Sequence, residues 1–380
     1  VQDQGKGITG PEQGVVFPQN KQGKRSSTAA VKRIFAHSVA DISPELAQEI
    51  LEEKKWRQKY PGFINRINLA AIESSQNALT IAKKGLDEAY QTLCFVRDNT
   101  QMTIEQAMAE FTRPAFHTAV INGSSPLKSS RSFALPYRNR TLSGDSLIRQ
   151  ADVWEKQGIF EPSFGQALKG VATRKGWTHL SGHTFVLLGA GSEIAPFKTL
   201  LDLGATIVAV DLPRTAIWER LIGVARKSAG CLIMPLKKAF DPALSDGQLA
   251  ALAGADLACD APEIRTWLLE MNRPLTIGAY AYADGALHVR IAMAMDAIIK
   301  EITKKRNDIA IAFYFTPSDS YVVPVETTDA AASRRKDETT ALFAYSVARW
   351  ISLGKMFTPH NPTLIKSDNG KTYGLSDNII

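Results

Sequence analysis

Apolar residues recur at Ile64, Ile67, Ala71, Ile72, Ala78, Leu79, Ala82, Leu86, Ala89, Leu93 and Val96, mostly three, four or seven positions apart. That period predicts one long amphipathic helix whose apolar face breaks near Ser74-Ser75. Ahead of it, Ser43-Pro44 sets a capping hydroxyl before a proline at the first helical position, and Glu45, Glu49, Glu52 and Glu53 follow. Behind it, Thr103 with Gln106 spells a capping box for a third helix through Phe111. Residues 41–115 are thus expected as a helical hairpin or small bundle, behind a flexible arm at 1–40 that is rich in Gly, Gln, Lys and Ser. From 116 to 181 the periodicity fades among Pro126, Pro136 and Pro162, so a loop-rich connection is expected, with short helices near 144–157 and 163–175. Residues 331–380 predict one helix, Asp337 to Ile351, and a tail. No internal repeat stands out.

Residues 182–330 follow a different rhythm. His183 to Leu188 is a continuous apolar strand pattern that runs into Gly189-Ala190-Gly191-Ser192. A helix from about Glu193 to Leu203, Gly204, and a second strand Ala205 to Val210 follow, closed by Asp211. Strand, glycine turn, helix and strand ending in an acid is the order of a nucleotide-binding α/β unit. The glycines let a phosphate approach backbone N–H groups at a helix start, and the carboxylate accepts hydrogen bonds from ribose hydroxyls. The expected fold is α/β, a doubly wound parallel Rossmann sheet with an N-terminal helical extension. Gly189, Ala190, Gly191, Ser192 and Ile194 are the expected contacts to a diphosphate, with Asp211 and Leu212 at the ribose. Glu193 brings a carboxylate close to that diphosphate, so its side chain must turn away from it.

The run Leu188-Gly189-Ala190-Gly191-Ser192-Glu193-Ile194-Ala195 resembles the TGxxxGxG turn of short-chain dehydrogenases/reductases, with Leu188 in place of Thr and Glu193 and Ala195 in place of two glycines. In the order of that family, Gly254 to Pro262 looks like the fourth strand and its cofactor-lining loop, which places Asp260 and Ala261 at the cofactor. Leu275 to Tyr280 looks like the fifth strand, Asp284 to Lys305 like the active-site helix and Ile309 to Phe315 like the sixth strand. The resemblance implies an NAD(P)-dependent oxidoreductase that assembles as a homo-oligomer. Asp211 implies NAD over NADP, because a ribose phosphate would meet its carboxylate. Over its length the chain also resembles a group of algal and other protist proteins, a likeness that implies no activity.

The family's Tyr and Lys four residues apart do not occur at the start of the expected helix. Tyr280, Tyr282, Asp284 and His288 stand there instead. Asp284 and His288 share a helix face and make a candidate acid/base pair, although a helix cap and a satisfied polar residue read equally from the same letters. The two tyrosines are candidate proton donors or plain packing. The stripe from Ile291 to Ile299, with Met293 and Met295, is core or a subunit contact. Thr316, Ser318, Asp319, Ser320 and Tyr321 supply hydroxyls to a following loop. The histidines are scattered without ligand spacing, so no metal site is expected.

Composition narrows the classes. A net charge of +7 is spread among acidic residues, without the interleaved aromatics of a nucleic-acid stripe. No apolar window is long enough for a membrane span. Three distant cysteines fit a reducing, intracellular compartment. The initial Val fits a processed chain or a fragment. Three functions compete: an NAD-dependent oxidoreductase with altered acid/base residues; an inactive Rossmann scaffold that holds a protein partner; and an S-adenosylmethionine-dependent methyltransferase. The last has no acidic residue before its first glycine, where Leu187-Leu188 stands.

Overall fold

The computed structural model describes residues 13–20, 22–127, 133–160, 162–313, 321–325, 328–329, 363–366 and 370–376. The helix expected over Asp337 to Ile351 and the loop hydroxyls of Thr316, Ser318, Asp319 and Ser320 lie outside these residues.

In chain order, β1 (Gly14–Val16) is followed by α1 (Ser27–Val39), α2 (Pro44–Glu52), α3 (Trp56–Ile72) and α4 (Ser75–Thr92). Then come β2 (Cys94–Arg97), β3 (Thr100–Thr103), α5 (Ile104–Glu110) and β4 (His117–Asn122). The hairpin β5 (Ala134–Tyr137) and β6 (Arg140–Ser143) leads to α6 (Gly144–Lys156) and α7 (Pro162–Thr173). Next are β7 (Thr184–Leu188), α8 (Phe197–Asp202), β8 (Thr206–Val210), α9 (Thr215–Arg226) and β9 (Cys231–Leu236). The series continues with α10 (Asp246–Leu252), α11 (Ala261–Leu269), β10 (Leu275–Ala279), α12 (Gly285–Lys305) and β11 (Ile309–Phe313). β12 (Tyr321–Pro324), β13 (Thr363–Lys366) and β14 (Thr372–Ser376) complete it.

The chain divides into two compact units. The first combines Val1–Val31, Asp87–Arg131 and Thr178–Tyr314, and the second Lys32–Leu86, Ser132–Trp177 and Phe315–Ile380.

The first unit is mixed α/β. Its six-stranded sheet runs β11-β10-β7-β8-β9-β4, parallel throughout except for β4, which pairs antiparallel with β9. β7 and β8 are continuous apolar runs buried on both faces, whereas Ala310 to Ala312 of the parallel edge strand β11 are exposed. Val186, Leu187, Leu188 and all of Ile207 to Val210 are buried. On α9, Trp218, Leu221, Ile222 and Ala225 recur at helical spacing and are buried in the same core. Met293, Met295, Ala297 and Ile298 of α12 are buried, so that part of the stripe is core. A smaller antiparallel sheet, β1-β2-β3, belongs to the same unit.

In the second unit, α3 stacks Trp56 on Phe63 with ring centroids 5.7 Å apart, and Arg66 pairs with Glu49 of α2. The β5–β6 hairpin and α6–α7 enclose a small core of Leu142, Leu147, Trp154 and Ala172. The antiparallel sheet β12-β14-β13 completes the unit. Among the described residues, no helix is long and apolar enough to cross a membrane.

Several elements differ from what the sequence predicts. The break near Ser74-Ser75 is a true helix end that separates α3 from α4. Leu93 and Val96 are not helical, because α4 stops at Thr92 and the chain turns into the β2–β3 hairpin through Asp98 and Asn99, both at positive φ. The expected arm contains β1, with Val15 and Val16 buried, and the helix α1. The expected loop-rich connection supplies the sheet's edge strand β4 as well as the β5–β6 hairpin; its two short helices stand where the sequence puts them.

A repeat is present after all. Two strands joined by a two-residue turn lead into a capped helix at 94–110 and again at 134–156. The turn residues are Asp98-Asn99 (φ 50° and 62°) in the first copy and Arg138-Asn139 (φ 44° and 62°) in the second. Thr103 with Gln106 forms a reciprocal capping box, and in the second copy the Ser143 amide donates to Ser146 Oγ at 2.9 Å.

Candidate functional site at the carboxyl ends of β7 and β10

After β7 the chain adds β8 and β9 on one side, then β10 and β11 on the other. The winding therefore reverses between β7 and β10, and in open α/β sheets the carboxyl ends of the strands at such a reversal are where ligands bind. Two segments meet there. Gly189 has φ of 92°, and a Cβ on it would lie 2.4 Å from the amide nitrogen of Ala281. The amides of Tyr280 and Ala281 both donate to the Leu188 carbonyl at 2.8 Å.

The glycine turn is tied to the end of β8. Gly189 and Ala190 donate their amides to the Val210 carbonyl at 2.8 and 3.1 Å. Gly191 donates to Asp211 Oδ2 at 2.6 Å, and Leu212 to Asp211 Oδ1 at 2.8 Å. Ser192 donates back to the Gly189 carbonyl at 3.1 Å. Burial pushes the Asp211 carboxyl above the usual carboxylate range, against the two amides, Arg220 and Arg214, which favour its charged form. Arg220 donates to the Gly191 carbonyl at 2.6 Å, a contact the sequence reading missed. Its place six residues past Arg214, on the helix that follows the acid, is the signal that would have found it.

The helix after the turn is shorter than expected. It begins at Phe197 rather than near Glu193, with Pro196 at its N-cap and no side-chain cap. Proline disfavours helical backbone in the residue before it, so Ala195-Pro196 delays the start. Glu193 and Ile194 are exposed on the intervening segment.

Asp260 and Ala261 follow a segment that does not form the expected strand. Gly254 to Pro262 is not a strand, and β7's neighbour on that side is β10. Ala255 donates to the Asp211 carbonyl at 2.9 Å, which sets this segment beside the end of β8. Asp256 Oδ1 accepts the amides of Ala258 and Cys259, and Asp260 Oδ2 accepts that of Asp256 at 2.8 Å. Side chains that bind nearby backbone in this way favour a turn over a ladder. Asp260 is the N-cap residue of α11, and Ala261 is buried behind it.

Of the four candidate acid/base residues, two come together. Tyr280 belongs to the core, with its ring folded against Gly278. Asp284 is the exposed N-cap residue of α12 and makes no hydrogen bond with His288. Tyr282 is 62% exposed, and its ring centroid lies 5.2 Å from that of His288. His288 Nδ1 is buried without a hydrogen-bond partner among the described residues, an arrangement that asks for an explanation.

On the next turn of α12, Arg290 donates to the carbonyls of Val15 at 2.6 Å and Gln13 at 3.2 Å. Val15 donates to the Ala258 carbonyl at 2.9 Å. β1 is thereby fixed to both α12 and the 254–262 segment. A separate cleft of about 270 Å³ at the amino ends of β7, β10 and β11 includes His183, Asn307 and Asp308, at the opposite ends of the strands from the glycine turn. Among the described residues, no group of three or more His, Cys, Asp or Glu side chains is placed to hold a metal ion.

No protein-family model, no curated protein and no solved structure matches this chain.

Proposed function

We propose that the parallel sheet is a Rossmann-type winding and that the protein is an NAD-dependent oxidoreductase of short-chain dehydrogenase/reductase type, with Tyr282 and His288 in place of the Tyr-Lys pair. The observation that carries this reading is the meeting of the β7 turn and the residues after β10 at the reversal point, through the contact of Gly189 with Ala281. Asp211 fits the ribose end of a dinucleotide: each oxygen accepts one amide and keeps a lone pair for a ribose hydroxyl. Its charge favours NAD over NADP. When bound, the nicotinamide supplies or removes a hydride at the substrate carbon. Tyr282 Oη delivers or takes the proton at the substrate oxygen, and the His288 imidazole, packed beside the phenol, steadies its ring.

A second reading, a Rossmann scaffold without chemistry that serves a protein partner, is favoured by the inward-turned amides of the glycine turn and the late start of α8. Titration calorimetry of the full chain with NADH, NADPH and S-adenosylmethionine separates the readings. The oxidoreductase reading expects NADH to bind more tightly than NADPH and Asp211→Ala to weaken it at least about tenfold. Binding of none of the three at millimolar ligand would overturn it in favour of the scaffold.

A further inference from the structure

We propose that the corner between α2 and α3 binds the phosphodiester backbone of a nucleic-acid duplex, independently of base sequence. The run Leu51 to Tyr60 forms this corner, with Lys54, Lys55, Arg57 and Lys59 set against Glu52 and Glu53. A fifth cation comes from α1, where Lys32 Nζ donates to the carbonyls of Leu51 at 2.7 Å and Glu53 at 2.8 Å and so stands at the end of α2. The corner thus carries five cations and two carboxylates, all within the second unit.

The carboxylates there are already engaged. Glu53 accepts the Lys55 amide at 2.6 Å and lies 3.9 Å from Lys59 Nζ, and Gln48 donates to Glu52. One turn back on α2, Glu49 is held by Arg66. Lys54, Lys55 and Arg57 are exposed, and among the described residues none of the three has a carboxylate within ion-pair distance. Like charges repel at separations below the Debye length of about 8–10 Å, so a polyanion that replaces their counter-ions is favoured there.

Lipid surfaces and nucleic acids both present phosphates, and the apolar side chains of the corner favour the second. Trp56 and Tyr60 alternate with the cations, but Trp56 is 7% exposed and stacked on Phe63, and Tyr60 packs beside it with ring centroids 6.3 Å apart. Leu51 is the one large apolar side chain exposed in the run. A surface that enters lipid brings an apolar face beside its cations, and a reader of single strands brings open rings for the bases. This corner brings charge alone, which suffices for a duplex backbone and carries no sequence information.

Fluorescence anisotropy of the full chain with a fluorescein-labelled DNA duplex of about 20 base pairs tests the proposal, alongside a duplex of scrambled sequence and vesicles containing phosphatidylserine. The two duplexes are expected to bind equally, with log affinity falling against log salt at a slope of about −3, as three phosphate contacts require. Lys54→Gln, Lys55→Gln and Arg57→Gln combined should weaken binding at least about tenfold at low salt and flatten that slope, with the melting temperature unchanged. Lys227→Gln, Lys237→Gln and Lys238→Gln combined remove the same net charge from exposed positions of the first unit and should leave binding in place. No duplex binding at low salt, a marked preference between the duplexes, or equal weakening by the two triple variants would each overturn the proposal. So would binding to the vesicles without binding to the duplex, in favour of a membrane surface. None of these residues belongs to the glycine turn, so the oxidoreductase reading and this one can fail separately.

Discussion

Asp211 Oδ2 accepts the amide of Gly191 at 2.6 Å, from a residue twenty positions earlier in the chain. The carboxylate proposed to meet a ribose is thus also the clasp of the glycine turn. Asp211→Ala leaves the Gly191 and Leu212 amides without their acceptor and should cost about 1–3 kcal/mol in urea unfolding. Asp211→Asn keeps one acceptor oxygen and should cost less than the alanine variant. If nucleotide affinity fell with alanine while stability did not, the clasp would not matter to the fold.

Gly189→Ala should be among the most damaging single changes in the unit. It asks a side chain to adopt φ of 92° with a backbone nitrogen 2.4 Å from the new Cβ. Strain and displacement of the 280–282 segment together are expected to cost more than about 2 kcal/mol, read from the denaturation midpoint.

Asp260 carries a pH signature. Burial first, and then the neighbouring carboxylates Asp256 and Glu263, raise its pKa above the ordinary value, against the Asp256 amide and Arg97. A carboxyl raised in the folded state holds its proton more tightly there than in the unfolded chain. Its contribution to stability is therefore complete below the ordinary aspartate value of about 4 and is lost as pH rises through the folded value. Asp260→Asn keeps an oxygen for the Asp256 amide, so it should be more stable than the parent at neutral pH and flatten the stability profile above pH 4. A parallel profile in both proteins would refute this.

Arg265 is 2% exposed and donates to the carbonyls of Met108 at 2.6 Å and Phe111 at 3.4 Å, closing the end of α5. Arg265→Ala removes the donor and leaves both a void and unpaired carbonyls, at an expected cost of about 3 kcal/mol. Arg265→Met fills the space without the hydrogen bonds and should recover part of that loss, as thermal unfolding of the two variants would show.

The repeated hairpins respond to their turn residues. Asn99→Gly and Asn139→Gly suit the left-handed backbone at φ of 62° and should be neutral or stabilising by up to about 1 kcal/mol. A β-branched residue such as Asn139→Val should instead cost about 1–2 kcal/mol. Equal stability of the Gly and Val variants would mean that the turn does not fix the hairpin.

What could be read from the letters alone was the local part. β7, β8, the glycine turn and Asp211 lie within one short stretch, and continuous apolar runs announce buried parallel strands. The box of Thr103 with Gln106 was equally plain, since its two hydrogen bonds span three residues. The β2–β3 and β5–β6 hairpins escaped because their turns lack glycine, the residue usually sought there, and take Asn in the left-handed conformation instead. The late start of α8 is legible in Ala195-Pro196, since proline disfavours helical backbone in the residue before it. At the site, the contact of Tyr282 with His288 depends on how α12 leaves β10, a matter of three-dimensional direction that spacing does not encode. The i to i+4 rule pointed to Asp284 as the partner of His288, and that pairing is not made.

The fixing of β1 bears on how the chain comes to be folded. Val15 is bonded to Ala258 and Arg290, partners whose separation from it exceeds half the length of the chain. Contacts so distant in sequence slow folding, because a large loop must close before they repay its entropy. On a ribosome, Val15 and Val16 must wait with their apolar side chains uncovered until α12 has been made. A fragment cut to begin near Thr178 would keep five parallel strands and lose both β4 and this strap.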